Sequence, residues 1–183
     1  MFTPLFISIT TICSMMNPLE PPTAKYLGSD GKNLKESLVL REEQGGIAGT
    51  SVTEWTIEKD GKWTLAQFLV AGNGKEQDGT RQKTAGQLKP TELTKLVERL
   101  AADNMLDLPA TLGTAAKINP HNYVLHFGKK KITLSGAQPR IDGSLKANVL
   151  SAVPDTDPTT ADVKRLAEIV NLVVSLTAAE IKE

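Results

Sequence analysis

A chain of 183 residues that is 40% hydrophobic suffices for one ordinary domain with its own core and a tail. Its 21 basic and 21 acidic side chains cancel, which argues against a nucleic-acid partner, since such proteins carry a basic excess. The single cysteine, Cys13, excludes an intramolecular disulfide.

Residues 4–16 form a mostly apolar stretch, the length of a signal-peptide core and too short to span a bilayer. Residues 17–23, Asn-Pro-Leu-Glu-Pro-Pro-Thr, follow as a Pro-rich run that disfavours helix and strand. The expected organisation is a signal peptide over 1–16, a linker over 17–36 and one α+β domain over 37–183. Export to the periplasm or the extracellular space follows from that order. Against it, no Lys or Arg precedes the apolar run and no small-x-small cleavage site follows it. The competing reading is an apolar N-terminal element packed on the domain. Lipid attachment at Cys13 has a poor context, because Thr10-Thr11-Ile12 departs from the Leu-x-Gly/Ala of lipoprotein signals.

Leu38-Val39-Leu40-Arg41-Glu42 alternates weakly and is expected to be the first strand. A five-residue turn, Gly45-Gly46-Ile47-Ala48-Gly49, comes next and sets an apolar side chain among residues of wide conformational freedom. Val52 to Glu58 alternates cleanly, with Thr53, Trp55 and Ile57 on one face, so it is expected to be a half-buried antiparallel strand. Asp60-Gly61 is the strongest hairpin signal, and Trp63 to Val70 returns as the next strand. Trp55 and Trp63 are expected to pack in the core or across the hairpin, with a binding platform as the alternative. Residues 71–87 are polar and glycine-rich and are expected to form a flexible insertion.

Leu93, Leu96, Val97 and Leu100 make one stripe of a helix over 90–104, with Pro90 in its first turn, Thr91 as the expected cap and Asn104 at a left-handed C-terminal position. Tyr123, Leu125 and Phe127 alternate as a strand, and Gly128-Lys129-Lys130 turns it into a partner over 131–135. Three consecutive lysines, Lys129 to Lys131, suit a solvated tip or an edge guard. A short helix is expected near 144–150. Asp157-Pro158 signals the start of a last helix reaching about Ala178, apolar over most of its surface through Val163, Leu166, Ile169, Val170, Val173 and Leu176. The expected fold is therefore α+β: an antiparallel sheet of four to five strands with two helices packed on one face.

No catalytic constellation emerges. His121 and His126 are five apart, on opposite faces of a strand, and cannot chelate together; His121, after Asn119-Pro120, reads as a loop residue. There is no metal-binding motif, Gly-x-Ser-x-Gly elbow or phosphate-binding loop. Glu42, Glu43, Glu54 and Glu58 read as exposed solubility charges. No enzyme activity, metal, cofactor or stable membrane span is expected, and the oligomeric state stays open.

In order, the elements resemble the emfourin family, proteinaceous inhibitors of the thermolysin-like metalloprotease protealysin. The likeness rests on the Gly45–Gly49 turn, the Leu93–Leu100 stripe, Leu106-Asp107-Leu108-Pro109, and Asn119-Pro120-His121-Asn122-Tyr123, and it covers roughly residues 37–178. The N-terminal extension and the 71–87 insertion depart from the family, as do His121 and Asn122, where relatives often carry Asp after the proline. The resemblance implies a metalloprotease partner, with Gly45, Gly46, Ile47, Ala48 and Gly49 as the contact residues and Ile47 as the anchor. The bland alternative folds Ile47 back onto the core. A non-catalytic envelope or extracellular interaction module on the same scaffold is the competing function.

Overall fold

A computed structural model describes residues 20–114, 118–137 and 160–178. The expected signal peptide, Cys13, the short helix near 144–150 and the Asp157-Pro158 helix start lie outside these residues.

The sheet has seven strands in the order β4-β3-β2-β1-β6-β7-β5. They are β1 (Leu38–Gly46), β2 (Gly49–Ile57), β3 (Lys62–Val70), β4 (Gln82–Gln87), β5 (Thr111–Gly113), β6 (His121–Phe127) and β7 (Lys130–Ser135). All pairings are antiparallel except β5 with β7, so the sheet is mixed rather than antiparallel, and larger than the four to five strands expected. β4 escapes a reading by pattern because five of its six residues are exposed, leaving no buried apolar face to create alternation. β5 is three residues long, too short for any period.

Two helices, α1 (Pro90–Ala102) and α2 (Thr160–Ala178), cover one face of the sheet. Leu38, Leu40, Trp55, Trp63, Leu125 and Ile132 from that face join Leu96 and Leu100 of α1 and Leu166 and Val170 of α2 in one core. Both tryptophans are core residues, in line with packing rather than a binding platform. Glu58 O accepts from Gly61 N–H at 2.9 Å, and Gly61 takes φ 83°, closing the hairpin that Asp60-Gly61 signals.

α1 begins at Pro90, and Thr91 does not cap it. The carboxylate of Glu92 accepts from Lys89 N–H at 2.7 Å, so the reciprocal half of a capping box performs the task. Asn104 takes the left-handed conformation past the helix end, at φ 45° and ψ 50°. An Arg99–Glu168 ion pair links the two helices, and Arg165 donates to Asp103 O. Asp103, buried at this junction, has its pKa raised, chiefly by burial, with Arg99 working against it. A carboxyl with a raised folded pKa is protonated first in the native state, so acid favours folding here. We therefore expect Asp103→Asn to be at least as stable as the parent at pH 7. Its advantage should vanish as pH falls through Asp103's raised pKa towards the ordinary 3.8, which urea denaturation at several pH values measures.

Residues 20–36, the described part of the expected linker, are mostly exposed or half-buried but are anchored to the domain by two core residues. Pro22–Lys25 makes a 3-10 turn, Tyr26 and Leu34 enter the core, and Leu106 N–H donates to the Tyr26 hydroxyl at 3.3 Å. The stretch 71–87, expected as a flexible insertion, holds β4 and a hydrogen-bonded turn. In that turn Ala71 N–H donates to Lys75 O at 2.8 Å, and Glu76 bridges to Val70. Arg81 grips Glu76 with two hydrogen bonds, at 2.7 and 2.6 Å, and stacks 3.8 Å over the Phe68 ring. The Arg81 guanidinium holds the Glu76 carboxyl below its ordinary value.

Candidate protein-interaction surface

The five-residue glycine turn is tighter than its composition suggests. Gly45 and Gly46 end β1, Gly49 opens β2, Gly46 pairs with Gly49, and only Ile47 and Ala48 form the turn. Ile47 is fully exposed, at 106% of its reference area, so the alternative in which it folds onto the core does not describe this structure. Ala48 is exposed beside it.

Two flanking contacts fix the turn. A Cβ on Gly45 would sit 2.7 Å from the Pro120 ring, and Gly45 N–H donates to Pro120 O at 2.7 Å. Gly49 has φ 132°, and a Cβ there would lie 2.4 Å from the Val70 carbonyl oxygen. Glycine at these two positions lets the hairpin end close against β6 on one side and β3 on the other.

Two further apolar side chains share this end of the sheet. Ile118 precedes Asn119-Pro120, beside Gly45, and is 82% exposed. Leu69 stands opposite Ser51 near the end of β3 and is 42% exposed. These are the large exposed hydrophobics among the described residues, and all three lie at one end, where exposed apolar side chains gathered together mark interaction surfaces. Thr80 braces this end by accepting from Leu69 N–H at 3.1 Å and donating to Gln77 O at 2.7 Å.

Beneath the turn lies a polar cluster on the core face. Glu42 is 7% exposed, not the solubility charge expected, and His121 is a buried residue of β6, not a loop residue. Both the Tyr123 hydroxyl and His121 Nε2 lie 2.9 Å from Glu42 Oε1. A carboxylate only accepts, so with Glu42 ionised both neighbours donate and His121 carries its proton on Nε2. His121 Nδ1 is buried, with no hydrogen-bond partner among the described residues. His126 points to the other face, as the spacing of five requires, and burial together with Lys131 and Arg41 lowers its pKa. The cluster brings together one carboxylate, one imidazole and one phenol. No group of three or more His, Cys, Asp or Glu side chains able to hold a metal occurs among the described residues.

At the opposite end, a groove of about 730 Å³ runs between α1 and the Asp60 turn, with Leu27, Leu88, Leu93 and Val97 in its lining. No helix among the described residues is long and apolar enough to cross a membrane. The basic run is split by the fold: Lys129 is exposed at the β6–β7 turn, while Lys130 donates to Leu108 O at 2.5 Å.

The glycine turn was visible in the sequence; Ile118, Leu69 and the Glu42–His121–Tyr123 cluster were not singled out. One signal for the cluster existed. Counting by two from Leu38 through Leu40 reaches Glu42, and counting back from Phe127 through Leu125 and Tyr123 reaches His121, so both fall on core-facing positions. No protein-family model matches the chain, and no curated protein matches it.

Proposed function

We propose that the chain is an exported proteinaceous inhibitor of a thermolysin-like metalloprotease, offering Ile47 to the apolar pocket just past the scissile bond. The observation that carries this reading is Ile47 itself: a bulky apolar side chain, fully exposed, on a two-residue turn held at both flanks. Such a loop loses little conformational freedom on docking, and a turn locked into a hairpin resists the extended pose that cleavage requires. Ala48 and the flanking glycines let the backbone approach the partner closely. The reading assigns the chain no catalytic role.

The test is a titration of the purified chain against a thermolysin-like metalloprotease, following protease activity and the integrity of the chain together. Stoichiometric loss of activity with the chain uncut is the expected result. Ile47→Asp should weaken inhibition by about thirtyfold, the equivalent of roughly 2 kcal/mol of buried isoleucine, with an unchanged circular dichroism spectrum. Full activity in the presence of the parent chain, or inhibition unchanged by Ile47→Asp, would overturn the assignment.

A second reading draws on Ile118 and Leu69. Three exposed apolar side chains on neighbouring segments suit a docking face for a non-protease partner on the same scaffold. It gains if the protease ignores the chain.

A further inference from the structure

The two edges of the sheet are built differently. β5 is guarded by its length of three residues and by Pro109 just before it. β4 has neither guard. It is six residues long and free of proline, its register with β3 is unbroken from Lys62↔Gln87 to Gln67↔Gln82, and residues 82–85 and 87 are exposed.

The phase of the ladder tells which backbone groups face outward. Leu88 N–H donates to Gly61 O at 3.0 Å, continuing the β3–β4 register. Antiparallel ladders alternate, so Gly86, Thr84 and Gln82 turn their N–H and C=O groups towards β3, and Gln87, Ala85 and Lys83 turn theirs away. An added strand must bond to those three.

A second copy of the same strand meets them in few ways. Two-fold symmetry pairs outward residues with outward residues about an axis at any position from 83 to 87, and an axis at Thr84 or Gly86 leaves Gln87 or Lys83 without a partner inside β4. An axis at Lys83 sets two lysines face to face, which is unfavourable. An axis at Gln87 runs each strand against residues beyond Leu88, where the chain turns into α1. An axis at Ala85 sets Lys83 against the other copy's Gln87 and Ala85 against its own image. That register uses all three outward residues, opposes no like charges within β4 and leaves only small side chains at the centre. The balance of 21 basic and 21 acidic residues adds no overall repulsion between copies.

We propose that β4 is a dimerisation edge, pairing antiparallel with β4 of a second copy about a two-fold axis through Ala85 and running one sheet through both. The proposal is independent of the inhibitor reading. The Ile47 turn belongs to the β1–β2 hairpin, and β3 stands between that hairpin and β4.

Analytical ultracentrifugation of the full chain over a concentration series tests it, with a species of twice the chain mass expected at high concentration. Ala85→Pro removes the N–H at the axis and leaves the β3 ladder whole, since that N–H faces away from β3. The variant should sediment as a monomer with an unchanged circular dichroism spectrum. A parent chain that stays monomeric at its solubility limit, or a dimer that survives Ala85→Pro undiminished, would overturn the proposal. Should the variant fail to fold, hydrogen exchange on the parent chain decides. Amides of Lys83, Ala85 and Gln87 should slow with rising concentration while those of Thr84 and Gly86 do not; rates independent of concentration would refute the pairing.

Discussion

Glu42→Leu is expected to lower the unfolding free energy by about 3 kcal/mol, the order expected when buried hydrogen-bond donors lose a shared carboxylate acceptor. The leucine fits an otherwise apolar row, so the loss comes from what it leaves behind. The Tyr123 hydroxyl and His121 Nε2 both lose the oxygen they approach at 2.9 Å, and His121, at 2% exposure, cannot turn to water for a substitute. For a chain of this size the loss corresponds to a fall of about 6–12 °C in Tm. Two controls separate this from generic damage to a strand. Glu42→Gln keeps an accepting oxygen in place and should cost about 1 kcal/mol. Glu43→Leu, one residue along on the other face and paired among the described residues with Arg41 at a half-buried surface, should stay within about 0.5 kcal/mol. Urea denaturation of the three variants measures all of this; equal effects at 42 and 43 would remove the buried cluster as a stabilising feature.

Gly49→Ala should cost about 3 kcal/mol, while Gly46→Ala, its partner across the hairpin, should be neutral or slightly stabilising. Two penalties coincide at Gly49. Its φ of 132° is one that side chains resist, and the new Cβ would press to 2.4 Å on the Val70 carbonyl, a backbone atom that cannot swing aside. A Cβ at Gly46 would meet its nearest neighbour, Gly49 O, at 3.6 Å, an ordinary contact, and would reduce the freedom of the unfolded chain. Thermal melts of both variants show the contrast, and a comparable loss at both would mean that neither flank is locked as described. In an inhibition assay Gly49→Ala should also weaken the proposed activity, because the turn that carries Ile47 must shift.

The parts of the fold that the sequence revealed are those where burial imposes a rhythm. The stripe of Leu93, Leu96, Val97 and Leu100 and the alternation of Tyr123, Leu125 and Phe127 each face the core, and each was readable as helix or strand. β4 is held chiefly by its backbone ladder to β3, with the Gln87 side chain donating to Asp60 O, and it has no buried apolar row to record that. Glu42 was misplaced for a different reason. Leu38, Val39 and Leu40 are all apolar, so β1 by itself does not reveal which parity points inward; pairing Leu40 with both Trp55 and Leu125 settles it. At the candidate surface, the glycine turn was legible because glycine is a local signal. Leu69 continues the series Trp63, Leu65 and Gln67 on the inner face, so the strand pattern alone does not mark it as exposed. Its exposure depends on how far the covering layer reaches along β3, a property of the whole fold.

The place of β1 in the sheet orders the birth of the molecule. Its neighbour β2 follows after a two-residue turn, and β3 and β4 follow in sequence, so one half of the sheet can assemble as soon as residue 87 has left the ribosome. The other neighbour, β6, begins at residue 121. Until then β1 waits in the middle of its own sheet with one side bare, and the apolar face of the half-sheet lacks α2, which is made after β6 and β7. The nascent chain therefore passes through a stage in which a central strand behaves as an unprotected edge, the condition in which partly made β proteins stick to one another.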